Sequence, residues 1–163
     1  AKVIPSITNM ALSGVTLCIY GSRIEPGQMA MLEGLLSHIS QPVRVDEKYT
    51  RVVSDLSSCG PAFMAFVLRR FVDAAVEETG IGREEAERLA TGMLFGTGRL
   101  LTGEGLSADE LIRRVSVPGG ITAAALKQLD SELDGVFNRL IRTTHAKFRE
   151  DLAKVDQSFA VKR

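Results

Sequence analysis

A Pro-Gly-Gly turn ahead of a helical segment is the part of this sequence best suited to chemistry. It reads Val117-Pro118-Gly119-Gly120-Ile121-Thr122. The two glycines permit a tight turn before a helix whose first amide N–H groups have no helical partner. Such amides and the helix dipole favour a small anion such as a carboxylate, and the Thr122 hydroxyl adds a further donor or acceptor. A plain turn between two helices is the alternative, and it is the commoner use of this pattern.

A second run of small residues, Ser57-Ser58-Cys59-Gly60-Pro61, precedes an apolar helical segment that we expect to begin at Gly60 and Pro61. Ser57 or Ser58 is expected to cap that helix, with contact to a ligand as the alternative. Cys59 has no histidine near it in the sequence, so a packed small residue is favoured over a thiol nucleophile. His38 and His145 stand alone, are typical of exposed helix surfaces, and predict neither a catalytic triad nor a metal site.

Composition narrows the classes of partner. Twenty Lys and Arg balance 20 Asp and Glu, giving a formal net charge of zero among 163 residues. This balance argues against nucleic acid and against an anionic membrane surface as partners. The two cysteines, Cys18 and Cys59, are too few for a disulfide framework or a cysteine metal clamp, so we expect a reducing compartment and no metal.

Nothing in the sequence predicts a membrane span or a secretion signal. The longest uninterrupted apolar run, residues 62–68, is far shorter than the roughly 20 residues that cross a bilayer. The first residues, Ala1-Lys2-Val3-Ile4-Pro5, lack a basic leader followed by an apolar stretch. We therefore expect a cytoplasmic protein. Because these residues are strand-like without any lead-in, we also expect the chain to begin inside a larger protein.

The elements that position these motifs change in character near residue 47. Up to that point, short β-branched runs and one helical run predict the order β-β-α-β, which is the end of an open α/β domain. The predicted strands and helix cover 3–4, 14–21, 26–40 and 42–45. We assign residues 1–47 to this remnant, 48–155 to an all-helical domain and 156–163 to a frayed tail.

The second part is predicted to be helical throughout, with breaks at Gly and Pro. The helices are expected at 61–78, 83–101, 107–114, 122–129 and 132 to about 155. The first of these is apolar nearly all round in its first two turns, so that half should be buried on all sides. A helix of this kind in so small a domain predicts a homodimer. Gly92 and Gly96 lie one turn apart and predict close packing of another helix.

The order of these segments resembles the pyrroline-5-carboxylate reductase family. The resemblance rests on the α/β tail, the Ser-x-x-Gly-Pro-Ala-aromatic start at 57–63, the Gly-Ile-Gly-Arg-Glu-Glu-Ala stretch at 80–86, and the Val-Ser-Val-Pro-Gly-Gly-Ile-Thr loop at 115–122. It covers residues 3 to about 151. It implies a mainly α fold, in which a helical dimerisation and substrate domain follows the last β-β-α-β elements of a truncated Rossmann-type α/β domain.

The resemblance also implies an activity, the NAD(P)H-dependent reduction of 1-pyrroline-5-carboxylate to L-proline by a homodimer or higher oligomer. The loop 117–122 and Ser57 would bind the imino acid, and Thr122 would act as the catalytic residue by hydrogen-bonding the pyrroline nitrogen. Glu104 matches an acidic family position through a one-residue insertion. Pro5 and Ser6 would lie near the nicotinamide of NADP or NAD. No Gly-x-Gly-x-x-Gly follows a strand, so the phosphate loop is expected N-terminal to this chain.

Three motifs depart from the family pattern. Val117 replaces a serine in the loop, Ser58-Cys59 replaces Gly-Ser, and Ile4-Pro5-Ser6-Ile7-Thr8 replaces Met-Pro-Asn-Thr-Pro. Loss of a polar group from a site reduces discrimination for a polar substrate. The Pro-Ser-Ile-Thr-Asn pattern resembles the divergent late-competence-protein branch of the family. A catalytically silent or altered-substrate paralogue, acting as a regulatory or interaction protein in bacterial competence, is therefore the alternative function.

Overall fold

The computed structural model describes the backbone of residues 1–160 and the side chains of residues 1–158. The chain is mainly α-helical with one small sheet, which confirms the predicted fold class. It forms two compact units. The first comprises Ala1–Met64 together with the chain from Asn138 to the end of the described residues, and the second comprises Ala65–Phe137. The three-part division expected from sequence stays a prediction.

The sheet has three strands in the order β1 (Lys2–Ile4), β2 (Val15–Ile19) and β3 (Gln41–Arg44). Strand β1 is antiparallel to β2, whereas β2 is parallel to β3 and is joined to it through helix α1 (Pro26–Leu36). The predicted β-β-α-β order is confirmed, although α1 ends at Leu36 and not at residue 40. As the central strand, β2 carries the buried core of this unit, with Thr16, Leu17, Cys18 and Ile19 at most 5% exposed.

One ion pair fastens α1 to the sheet. The Arg44 guanidinium donates to both carboxylate oxygens of Glu33, from Nε at 2.7 Å and from Nη2 at 3.0 Å, and the Tyr20 hydroxyl donates to Glu33 Oε1 at 2.9 Å. Mainly because of Arg44, the pKa of the Glu33 carboxyl lies below its ordinary value. Burial and the bond to Glu33 raise the pKa of the Tyr20 phenol. The pairing therefore favours an ionised Glu33 and a protonated Tyr20.

The α-helix predicted to start at Gly60 and Pro61 does start there, but it continues a helical run that begins ten residues earlier. Helix α2 (Thr50–Ser54) leads into a π-helical turn, Asp55–Cys59, and then directly into α3 (Gly60–Thr79). A proline inside a helix offers no N–H to the carbonyl four residues before it. The wider π turn accommodates that interruption, so the Gly-Pro pair does not end the helix. The sequence therefore predicted the start of α3 but not the helical turns that precede it.

The remaining helices are α4 (Arg83–Thr102), α5 (Ala108–Val115), α6 (Ile121–Leu133) and α7 (Val136–Ala160). The boundary between the last two was placed too early, because α6 continues through Glu132 and the break falls at Gly135, whose φ is +66°. A residue without Cβ adopts this left-handed conformation at low cost. Of the predicted tail, 156–160 is helical and 161–163 lies outside the described residues.

The core of the second unit is small. Val72, Ala86 and Ala90 are buried, with Leu68 and other partly buried apolar residues packed against them. The prediction that the first half of α3 is buried on all sides is wrong for the single chain, where Phe66 is 56% exposed. The large residues left exposed on α3 and α4 include Met64, Phe66, Val67, Phe71, Leu89, Met93, Leu94 and Phe95. These exposed residues leave α3 and α4 with a largely apolar surface in the single chain.

The two glycines on α4 are similarly open. A Cβ built on Gly92 or Gly96 meets nothing within 4 Å. Close packing of another helix against them, which the spacing predicted, is therefore not made within the described residues.

Candidate functional site

In the first unit, the end of β1 is fastened to the π-helical turn. The Ser6 hydroxyl donates to the Ser57 carbonyl oxygen at 2.7 Å, and the Ser58 hydroxyl donates to the Pro5 carbonyl oxygen at 2.9 Å. Pro61 explains why the Ser57 carbonyl is available, because a proline four residues later has no N–H to give it. The structure thus brings together Pro5, Ser6 and Ser57, which the sequence analysis assigned to cofactor and substrate.

The hydroxyls of this contact are already used within the chain. Ser6 is 7% exposed, and its Oγ accepts from the Thr8 N–H at 3.3 Å and the Thr8 hydroxyl at 2.9 Å. The Ser57 hydroxyl donates to the Val53 carbonyl at 2.8 Å. The prediction that Ser57 or Ser58 caps the helix is wrong, because both lie inside the continuous helical run. Pro5 is exposed, so it is the member of this group that can meet a ligand directly.

Behind the π turn lies a buried carboxylate. Asp55 is 3% exposed; its Oδ1 accepts from Arg51 Nη2 at 2.8 Å and its Oδ2 accepts from the Thr144 hydroxyl at 2.7 Å. Arg51 Nη2 also lies 3.2 Å from Cys59 Sγ, so one guanidinium spans both ends of the turn. Burial lowers the pKa of Arg51, but its bonds to Asp55 and Cys59 outweigh burial and leave that pKa above its ordinary value.

Two ring groups of α7 complete this arrangement, which we call the Asp55 cluster (Arg51, Asp55, Cys59, Thr144, His145 and Phe148). His145 Nε2 lies 3.8 Å from Asp55 Oδ2 and has no hydrogen-bond partner within the described chain. The Arg51 guanidinium carbon lies 5.7 Å from the centre of the Phe148 ring. Reasoning from sequence missed this cluster and described His145 as a surface residue. The four-residue spacing of Arg51 and Asp55 is the signal that points to part of it.

In the second unit, the Pro-Gly-Gly segment forms the tight turn that the sequence predicted. The Gly120 N–H donates to the Val117 carbonyl at 3.0 Å, and Gly119 has a φ of +74°. A Cβ on Gly120 would lie 2.8 Å from Val117 Cγ2. Backbone conformation thus favours glycine at 119, and a larger residue at 120 would force Val117 to shift.

Helix α6 begins directly after this turn with its first amides open. Gly120 is the N-cap and supplies no side-chain acceptor, so no capping side chain competes for the amides of the first turn. The Thr122 hydroxyl has no hydrogen-bond partner among the residues described, and Ile121 is 92% exposed. Backbone N–H groups, the helix dipole and one free hydroxyl can together hold a carboxylate and a neighbouring polar atom. Glu104 is exposed in the link between α4 and α5.

Two further properties concern the described residues alone. Within residues 1–160, no three His, Cys, Asp or Glu side chains come close enough together to hold a metal ion. None of the helices in that part of the chain combines the length and the apolar character needed to cross a membrane.

Comparison with known proteins identifies relatives of this fold. Residues 47–151 match the family model described as pyrroline-5-carboxylate reductase dimerisation. ComE operon protein 4 of Bacillus subtilis is 42% identical over 161 residues, which cover 99% of this chain and 59% of that protein. Pyrroline-5-carboxylate reductase 3 of the same organism is 29% identical over 148 residues, covering 91% and 54%. The chain thus spans somewhat more than half the length of these curated relatives.

Solved structures share the fold. A pyrroline-5-carboxylate reductase from Coxiella burnetii matches with a TM-score of 0.84 at 24% identity, covering 91% of this chain and 55% of that one. The pyrroline carboxylate reductase of Plasmodium falciparum, solved with NADP bound, matches with a TM-score of 0.73 at 20% identity, covering 87% and 57%.

Proposed function

The chain belongs to the pyrroline-5-carboxylate reductase family, and we propose that the whole protein reduces 1-pyrroline-5-carboxylate to L-proline with NADPH or NADH. The observation that carries this proposal is the loop 117–122. Its two glycines cannot be replaced without strain or a clash, and it opens an uncapped helix. A plain turn also uses a glycine at positive φ, so the uncapped helix start is the part that favours a ligand. Such a start suits the binding of a small carboxylate.

In this proposal the loop positions the substrate. The amides after Gly120 hold the carboxylate, and the Thr122 hydroxyl donates to the pyrroline nitrogen. Such placement aligns the C=N bond and favours electron density on nitrogen as hydride reaches carbon, and a proton from solvent then completes the N–H of the product. No covalent nucleophile is needed. Val117, Pro118 and Ile121 shape the approach, with Val117 and Ile121 strongly exposed beside the helix start.

A reduced nicotinamide, when bound, supplies the hydride. Of the two residues of this chain expected near the nicotinamide, one is free to contact it and the other is not. Pro5 is exposed at the end of β1 and offers a surface for a ring, whereas the Ser6 hydroxyl is already bonded to Ser57 and holds the backbone in place. In support of the same nucleotide, a structural relative was solved with NADP. We expect the phosphate-binding loop elsewhere in the whole protein.

We also propose that two copies associate through the exposed apolar faces of α3 and α4. The family model that matches this region describes dimerisation, and large apolar residues such as Phe66 and Phe71 are more than half exposed in the single chain. Burying them against a second copy removes this area from water. The open positions at Gly92 and Gly96 leave room for a closely packed helix of the partner.

The second candidate function is that of a paralogue of the reductase. The 42% identity to ComE operon protein 4 favours a paralogue with an altered substrate or with no catalysis, serving as a regulatory or interaction protein in bacterial competence. The engaged Ser6 hydroxyl and the apolar Val117 support this alternative, since neither offers a substrate the polar group that the family pattern would supply.

Nicotinamide oxidation separates the two functions. The full-length protein is assayed for NADPH and NADH oxidation with and without 1-pyrroline-5-carboxylate. Oxidation that depends on the imine supports the reductase. A folded protein that binds the nucleotide yet shows no imine-dependent oxidation supports the paralogue.

A further inference from the structure

We infer that Asp55 is a positioning residue for the nicotinamide side of the site, because its buried carboxylate fixes the π-helical turn that holds Pro5 and Ser6. The inference rests on the proposed function in placing Pro5 beside the nicotinamide. Asp55 itself is buried and does not face a ligand. It acts through the backbone of the turn.

The first step is the cost of the buried charge. A carboxylate at 3% exposure is unfavourable unless it is paired and hydrogen-bonded. Asp55 is both, because Arg51 and Thr144 bond its two oxygens at 2.8 and 2.7 Å. A conformation that moves Asp55 away from either donor leaves charged or polar groups unpaired. The carboxylate is therefore held in one place.

The second step is the geometry of the turn. Arg51 Nη2 reaches Asp55 at the first position of the turn and Cys59 at the last, so the guanidinium bridges its ends. Gly60 contributes as well, because a Cβ there would lie 3.2 Å from the Asp55 carbonyl oxygen. π-helical turns are rare and occur frequently at functional sites. Here the Asp55 cluster holds both ends of the turn through Arg51.

The third step is what the turn presents on its other side. The Ser57 carbonyl and the Ser58 hydroxyl bond Ser6 and Pro5 across more than 50 residues of sequence. A shift in the turn would move both contacts together. Thr144 on α7 therefore sets, through Asp55, where Ser57 meets the end of β1.

The experiment uses the full-length protein and two substitutions that preserve shape. Asp55→Asn removes the charge, and Thr144→Val removes one donor. Thr144→Ser restores the hydroxyl. Thr143→Val is the matched control, because the Thr143 hydroxyl is exposed and bonds only the Arg139 carbonyl of its own helix, at 3.0 Å. Backbone hydrogen exchange and steady-state kinetics are measured on each variant well below its unfolding temperature.

Asp55→Asn and Thr144→Val should speed amide exchange at Ser57–Gly60 and at Ser6, while Thr144→Ser and Thr143→Val should match wild type. The KM for NADPH or NADH should rise by about 10- to 100-fold, as expected when the surface that meets the nicotinamide moves by about 1 Å. A loss of folded protein alone would lower the maximal rate and leave KM unchanged, which would overturn the inference.

The exchange readout keeps this test separate from the proposed reaction. If wild-type protein shows no imine-dependent oxidation, the reductase proposal fails. Faster exchange at Ser57–Gly60 in Asp55→Asn would then still support the positioning role of Asp55. Unchanged exchange there in a folded Asp55→Asn protein would contradict that role, whether or not the wild type turns over.

Discussion

The Ser6 hydroxyl donates a 2.7 Å hydrogen bond to the Ser57 carbonyl oxygen, joining two segments that are 51 positions apart in the sequence. The contact depends on Pro61, which leaves that carbonyl without an α-helical donor. It places the end of β1 against the π-helical turn. Two hydrogen bonds therefore hold the short segment after β1 against the helical turn.

Ser6→Ala should destabilise the protein measurably. The substitution removes the Ser6 partner of the half-buried Ser57 carbonyl and Thr8 N–H, at a cost of about 0.5–1.5 kcal/mol for each hydrogen bond lost. Urea unfolding followed by circular dichroism measures this. Ser37→Ala is the control, because that hydroxyl bonds Gly34 on an exposed surface and its loss should cost about 0.5 kcal/mol or less. Equal midpoints for the two variants would contradict this account.

The Pro-Gly-Gly turn should tolerate alanine poorly. Gly120→Ala places a methyl group 2.8 Å from Val117 Cγ2, and Gly119→Ala forces a Cβ into the left-handed region at a cost of about 1–2 kcal/mol. Gly27→Ala on α1 is the matched control, since a Cβ there meets nothing within 4 Å. Thermal unfolding should rank both loop variants below wild type and the control at or above it. A Gly120→Ala protein as stable as the control would show that the turn accommodates a methyl group at position 120, which would contradict this prediction.

The ion pair at Glu33 should contribute stability only while the carboxyl is ionised. Because Arg44 holds the Glu33 pKa low in the folded state, this contribution is present above the unfolded pKa of about 4.3. It is lost as the pH falls through the lower folded pKa. The difference in unfolding temperature between wild type and Glu33→Gln should be constant from about pH 7 to 5 and shrink in stronger acid. A difference that grows on acidification would contradict the assignment.

Association should depend on the apolar face of α3. Wild-type protein should sediment as a dimer at micromolar concentration, and Phe71→Asp should produce monomers because a charge buried in an apolar interface has no partner. Thr79→Asp, on an exposed position at the end of the same helix, should leave the dimer intact. A wild-type protein that sediments as a folded monomer would exclude the proposed interface.

Local patterns were sufficient for most of the elements. The β-branched run of β2 and the apolar periodicity of α4 predicted those elements to within a few residues. The turn at Gly119 and Gly120 was predicted as well, because two glycines before a helix have few other uses. Elements whose own residues decide their conformation could thus be inferred from sequence.

The π-helical turn could not be inferred, because Gly60 and Pro61 are typical of a helix start. Tertiary contacts decide whether the chain is already helical before Gly60. The bond from Thr144 to Asp55 joins residues 89 positions apart, and no local pattern signals it. The burial of the first half of α3 was mispredicted for a similar reason. Its apolar residues indicate a buried surface, but they do not show whether the same chain or another one covers that surface.

The proposed reaction depends most directly on the hydroxyl of Thr122. In the full-length protein, Thr122→Ala should lower kcat for imine-dependent NADPH or NADH oxidation by about 100-fold or more, the range for one preorganised donor. Thr122→Ser should retain most of the activity. Thr91→Ala, which removes an exposed hydroxyl bonded to the Glu87 carbonyl of its own helix, should leave it unchanged. Wild-type turnover by Thr122→Ala would contradict the role given to this loop.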